Sequence, residues 1–336
     1  MIKRFVRICL TLLWGLAGSM ALAQSPPANK ADAQVSQWLM RLHAAANKMA
    51  YSGTFVVNAG DNMSSSRIWH VCDEQAQMER VEALTGESRI TLRRNNEVLT
   101  LLPERQLAIA ETRESLTLFP NWLHQADSSI AQFYRLLPQG QQRLAGLMAD
   151  VVQLAPVDAL RFGYRVWTEQ KTGVVMKLQT LDSAQNLLEQ AAFSELQLAS
   201  SLSMGQLLAM MQATQGYRVV RPQMLQTSAE QEGWVFKQVA PGFKPMNCHK
   251  PAVTSSPSSR PKDTLQCVFS DGLASVSLFI ETYDAAQHAK PLAHADFTMG
   301  ATHMLNQRLG AWWLTAVGEV PRQTLAVFVS HLERKK

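Results

Sequence analysis

The chain has 336 residues, with 32 Lys and Arg against 27 Asp and Glu and a formal charge of +5. Apolar residues make up 46% and charged residues 18%, the balance of a globular protein rather than a disordered or collagenous one. Arg93-Arg94 and Arg334-Lys335-Lys336 are short and isolated, which excludes a nucleic-acid-binding stripe.

The first residues read as an address. Lys3, Arg4 and Arg7 form a basic n-region, Ile8 to Ala17 is apolar, and Ala21-Leu22-Ala23 supplies small residues for a signal peptidase. The reading is a secretory signal peptide over residues 1–23, cleaved before Gln24. The apolar run falls short of the roughly 20 residues that span a bilayer, which argues against an uncleaved anchor. No cysteine stands at the cleavage point to take a lipid. The expected product is a soluble periplasmic protein of about 313 residues with a formal charge of +2.

Asp32 is placed to cap a helix in which Val35, Trp38, Leu39, Leu42 and Ala45-Ala46 recur at helical spacing. The period then changes to two. Strands are expected at Tyr51–Val57, Ser65–Val71, Gln77–Leu84, Glu87–Arg93, Glu97–Leu102 and Gln106–Ala110, with tight turns at Asn95-Asn96 and Pro103-Glu104. Successive short strands mean an antiparallel meander. Pro120 to Met148 reads as helical or irregular. Strands resume at Leu160–Thr168, Val174–Leu181 and Leu188–Leu198, and Met204 to Ala213 reads as a short Met-rich helix. Trp234–Val239 opens a second strand-rich unit, Thr264 to Asp284 is its strongest run, and Pro321 to Leu332 is a closing helix. These give 24–204 as a large first domain, 205–232 as a linker and 233–333 as a small second domain. The fold class is α+β.

With Cys9 removed, Cys72, Cys248 and Cys267 remain. An exported protein favours a disulfide, and Cys248–Cys267 is the expected pair, closing the loop Lys250 to Asp263. Metal binding by Cys248, His249 and Cys267 is the weaker alternative, since no second close-spaced ligand pair accompanies them. Cys72 is then a free thiol.

Catalytic motifs are absent: there is no Gly-x-Ser-x-Gly, His-Glu-x-x-His, Cys-x-x-Cys or Gly-x-Gly. His288 and His294 beside Asp284 and Asp296 read as a polar loop, and His70 as a packing residue. No enzyme activity and no cofactor are expected. The apolar sheet face is expected to carry Phe55, Val57, Ile90, Leu92, Leu107, Ile109, Phe162, Tyr164, Met176 and Leu178. It is either an ordinary core or a greasy cavity with Trp122, Phe133 and Met148 as its lid.

Trp234 to Pro241-Gly242-Phe243, Phe269-Ser-Asp-Gly-Leu-Ala-Ser-Val-Ser-Leu278 and Val317-Gly-Glu-Val-Pro321 resemble the C-terminal domain of the RseB/MucB family. Tyr51-Ser-Gly-Thr-Phe55 and Tyr164-Arg-Val-Trp167 are similar to its N-terminal half. The resemblance implies a first domain like the lipoprotein carriers LolA and LolB, an unclosed antiparallel β-barrel with helices in its mouth. It also implies a periplasmic negative regulator of a sigma-E type envelope-stress response. Such a protein binds the periplasmic domain of a single-pass anti-sigma factor (RseA/MucA-like) and shields it from site-1 proteolysis. Lipopolysaccharide or lipoprotein acyl chains are the implied releasing ligand, a homo-oligomer is open, and a periplasmic lipid or lipoprotein carrier is the rival reading. The resemblance assigns no partner-contacting residues.

Overall fold

The computed structural model describes residues 28–73, 76–112, 130–252, 264–289 and 297–335. The expected signal peptide, Trp122, His294 and Asp296 lie outside the described residues. No helix among the described residues is long and apolar enough to cross a membrane.

Helix α1 (Ala28–Lys48) is followed by β1 (Tyr51–Ala59), β2 (Asn62–Cys72), β3 (Gln77–Ala83), β4 (Ile90–Arg94), β5 (Glu97–Leu102) and β6 (Leu107–Thr112). Asp32 lies inside α1 rather than before it, because Ala28, Lys30 and Ala31 are themselves good helix formers. After α2 (Ile130–Phe133) come β7 (Tyr134–Leu144), β8 (Leu147–Pro156), β9 (Gly163–Glu169), β10 (Val175–Leu181) and β11 (Leu187–Gln197). The helical or irregular reading of Pro120 to Met148 is therefore wrong from Tyr134 onward, where two long strands stand. Next are α3 (Met204–Gln212), β12 (Arg218–Val220), β13 (Met224–Thr227), β14 (Trp234–Phe236), β15 (Lys244–Pro251), β16 (Leu265–Ser270) and β17 (Ser275–Thr282). The chain closes with α4 (Ala285–His288), β18 (Phe297–Met299), β19 (Thr302–Leu309), β20 (Trp312–Gly318), α5 (Arg322–Ser330) and β21 (Leu332–Arg334).

Among the described residues, twelve strands form one sheet in the order β12-β6-β5-β4-β3-β2-β1-β11-β10-β9-β8-β7. Each pair is antiparallel except β12 with β6. The edge strands β12 and β7 do not pair with one another, so the sheet is unclosed. The second unit is a seven-stranded sheet, β13-β15-β16-β17-β20-β19-β18, with β14 and β21 forming a small ribbon. Cys248 and Cys267 are direct register partners on β15 and β16 and are joined by a disulfide.

The segment between the units is structured. Ser203 caps α3 in a reciprocal capping box with Gln206. Leu207 of α3 is fully buried against Val71 and Met78, and Met211, Tyr217 and Val219 pack on Leu92, Leu99, Leu101 and Ala108. One strand of this segment, β12, belongs to the first sheet and the next, β13, to the second.

Candidate functional site

Helix α1 is driven onto the sheet by one stripe. Val35, Leu39, Leu42 and Ala45 are each no more than 3% exposed, and burying the valine and leucine side chains contributes on the order of 1.5–3 kcal/mol each. Their core also holds Phe55, Ile68, Tyr134, Leu154, Tyr164, Val166, Met176, Leu178 and Phe193. One helix thus touches both halves of the sheet, which curls around it. Within the sheet, Gly53 lets β1 lie close against β11: a Cβ there would meet the Glu195 carbonyl and the Phe193 ring. At its polar edge α1 is tied by Arg41 to the Gln170 carbonyl and by Asn47 to Gln77.

The predicted face divides. Phe55, Tyr164, Met176 and Leu178 lie in the core under α1, with Val57 and Phe133 half-buried against it. Ile90 and Leu92 do not belong to this face. Leu92 is the register partner of Arg80, which pairs with Trp69, whereas Phe55 aligns with Ser66 on the other face of the sheet. Residues paired across strands share a face, so Ile90 and Leu92 point to the side covered by α3 and residues 217–219. The cause is that this stretch of sheet packs its apolar side against Met211, Tyr217 and Val219 and turns Thr91 and Arg93 to the other. Leu107 and Ile109 are half-buried on β6 and sit in neither packed group. Phe162 is buried beside His303 of the second unit, ring centroids 5.7 Å apart. Met148 is exposed on β8.

A second arrangement joins the two units. The 157–162 loop and the turn between β16 and β17 reach into one another. Arg161 Nε donates to Asp271 Oδ2 at 2.6 Å, with neither side chain exposed to solvent. Arg161 also donates to Asp158 Oδ2 at 2.5 Å and to the Pro241 carbonyl. Its guanidinium lies over the rings of Phe133, 4.1 Å, and Phe243, 5.2 Å, a desolvated cation–π setting. Asp271 is fixed in turn by the backbone N–H groups of Leu273 and Ala274. Leu273 of the second unit packs into the core of the first, and Leu160 of the first packs into the core of the second. Thr324 Oγ1 donates to the Leu160 carbonyl at 2.7 Å. Gly242 closes the clasp at φ +83°, where a Cβ would strike Phe133 and the Arg161 guanidinium.

Farther along the same seam, Glu189 accepts from the Ala301 backbone N–H and is raised above the ordinary carboxylate range by burial. Crowding by protein, and then the charge of Glu189, push Glu319 up to about 7. Glu319 keeps solvent access at its surface, so their repulsion is screened.

Of the sequence-predicted histidine loop, His288 and Asp284 are among the described residues. His288 is buried, stacked on Trp313 with centroids 4.9 Å apart, and its Nε2 is 3.0 Å from Glu281. Asp284 caps α4. His70 is buried against Tyr51 and paired with Glu79 at 3.0 Å. Sequence reasoning missed Arg161 and placed Asp271 only within the motif Phe269 to Leu278. The available signal was an arginine directly before the strand Phe162 to Trp167, although Arg165 inside that strand makes the signal weak.

Family comparison covers both units. A model described as the MucB/RseB N-terminal domain matches residues 34–211, and one described as the MucB/RseB C-terminal domain matches residues 228–333. The chain belongs to the MucB/RseB family. It is 30% identical over 324 residues to the sigma factor AlgU regulatory protein MucB of Pseudomonas aeruginosa, covering 94% of each chain. It is 21% identical over 321 residues to the sigma-E factor regulatory protein RseB of Haemophilus influenzae, covering 94% of this chain and 96% of that one. A crystal structure of MucB in complex with MucA(peri) matches with a TM-score of 0.66 at 25% identity, over 90% of this chain and 99% of the other. In MucB/RseB terms, the clasp joins the two matched domains, and α1 fills the concavity of the N-terminal one.

Proposed function

We propose that this protein is a periplasmic negative regulator of a sigma-E type envelope-stress response. It binds the periplasmic domain of a membrane anti-sigma factor and shields it from site-1 proteolysis. The observation that carries this reading is the family match running in order through both units, at 94% coverage of a sigma factor regulatory protein. A MucB structure of the same two-unit build is a complex with MucA(peri), which supports an anti-sigma factor as the partner. A signal peptide over residues 1–23 delivers the chain to that partner.

The release step follows from the plugged concavity. A lipid, lipopolysaccharide or lipoprotein acyl chain that enters the sheet must displace α1, because the apolar surface is already occupied. If that ligand binds best to the partner-free arrangement, partner binding weakens by the same factor. The carrier reading is less favoured, since carriage alone does not require the second unit locked to the first by Arg161 and Asp271.

The test measures affinity for the anti-sigma periplasmic domain with and without lipopolysaccharide, alongside cleavage of that domain by its protease. Binding and protection that both weaken with lipopolysaccharide fit the proposal. No binding at all defeats the regulator reading, and an unchanged affinity defeats the ligand switch.

A further inference from the structure

Arg165 and Lys177 bring two positive charges together on the first sheet, and neither is matched by a carboxylate among the described residues. Arg165 of β9 is the register partner of Gln153 and Gln179, and Lys177 of β10 is the register partner of Trp167 and Ala192. Paired residues share a face, so both cations lie on the side opposite Tyr164 and Leu178. They are diagonal neighbours on adjacent strands, a separation that long side chains bridge. Both are half-buried. Lys177 Nζ sits 4.4 Å from the centre of the Trp167 ring, and that indole is pinned because its Nε1 donates to Gln142 at 2.8 Å. Arg165 Nε is buried with no hydrogen-bond partner among the described residues. Gln179 donates to Gln190 Oε1 at 2.7 Å, which leaves the Gln190 amide nitrogen as a third donor in the Arg165 row. Burial, and then the charge of Arg165, hold Lys177 below the ordinary lysine range. Glu169, farther along this face of β9, offers no relief. Its Oε2 accepts from the Lys171 and Thr172 backbone N–H groups and from Thr172 Oγ1.

A crowded pair of like charges with an unmet buried donor is costly to the folded chain, and groups held in that state mark binding sites. A carboxylate would cancel only one of the two charges. A phosphate monoester carries about two negative charges at neutral pH and three strong acceptor oxygens, which match two cations and one amide. We infer that the face carrying Arg165, Lys177 and Gln190 is a binding site for a phosphate monoester group. The Arg165 guanidinium turns outward onto the ligand, so that Nε gains its acceptor as one arm of a bidentate contact. Lys177 supplies a point charge steadied by Trp167, and Gln190 donates the third contact. The site is separate from the plugged concavity and from the Arg161 clasp, and it does not depend on the regulator reading.

The test titrates the full-length protein with inorganic phosphate and with glycerol 3-phosphate, by calorimetry in a buffer free of phosphate and sulfate. One saturable site is expected. Arg165→Gln and Lys177→Gln should each weaken it by about tenfold or more, the worth of one charge-assisted contact. Arg94→Gln, which removes an exposed cation from β4, should leave the affinity unchanged. A second arm replaces the soluble probes with phosphatidylcholine vesicles carrying phosphatidic acid, against pure phosphatidylcholine vesicles. Capture that needs Arg165 and Lys177 assigns the phosphate to a lipid headgroup, and binding of the soluble probes without such capture assigns it to a free ester. Both results support the site. Where Arg165→Gln fails to fold, Lys177→Gln carries the comparison. No saturable binding of any of the three probes, or Arg165→Gln and Lys177→Gln proteins that bind as Arg94→Gln does, overturns the proposal.

Discussion

Arg161 and Asp271 meet across the seam between the two units, 2.6 Å apart and sealed from solvent. Breaking such a pair strands a charge in the interior, which costs about 3–5 kcal/mol, whereas replacing both partners with apolar groups of similar volume is close to neutral. Asp271→Ala is therefore expected to lower stability by that amount and to separate the unfolding of the units into two transitions. Arg161→Met with Asp271→Leu should keep one transition. Urea unfolding of the full chain, followed by tryptophan fluorescence and circular dichroism, distinguishes the two outcomes.

Gly242→Ala tests the same clasp from the backbone side. A methyl group there meets Phe133 and Arg161 at a backbone angle of φ +83°, so strain adds to a steric clash. The expected loss is on the order of 1–3 kcal/mol or more, read as a fall in Tm. A Tm equal to that of the parent means the clasp is looser than described.

Leu39→Ala weakens the plug. Leu39 is 2% exposed in the core under α1, and Leu→Ala at such a site costs about 2–5 kcal/mol. Binding of a fluorescent fatty-acid probe should become tighter, because less apolar contact must be broken to admit it. Equal probe affinity in the variant and the parent would remove α1 as the gate.

His70 gives stability a pH dependence. Its pKa is raised from 6.5 to about 9 in the folded chain. The resulting stabilisation is fully present below about pH 6.5 and is lost as pH rises through about 9. The shift corresponds to on the order of 3 kcal/mol. Urea midpoints should fall across that window in the parent protein and stay flat there in His70→Gln. A parent midpoint constant from about pH 6.5 to about pH 9 contradicts the assignment.

Much of the sheet was legible because alternation and turn residues coincide. Asn95-Asn96 and Pro103-Glu104 mark the ends of strands β4 to β6 closely. Strands β7 and β8 were not legible. Pro138 and Gly140 interrupt β7, a bulge falls between Pro138 and Gln141, and its outer residues are exposed because it is the sheet's edge. Alternation also shows which residues share a face but not which side of the sheet that face is. This misassigned Ile90 and Leu92, whose side is covered by residues far along the chain, Met211, Tyr217 and Val219. The clasp was invisible for another reason: Arg161 and Asp271 are separated by 110 positions, and their pairing exists only once two finished units dock. The Cys248–Cys267 bond was within reach because a single loop joins its strands.

The short path from β12 to β13 limits what opening can mean for this molecule. Val220 ends a strand of the first sheet and Met224 begins one of the second. The four Cα–Cα steps from Val220 to Met224 can span only about 13–14 Å even when fully stretched. The units are thus leashed near one corner and can swing apart chiefly by pivoting there. A partner that demands wider separation must strip β12 from β6 or β13 from β15, and loss of β12 would bare the backbone beside Leu107 and Ile109 as a fresh edge for another strand to join.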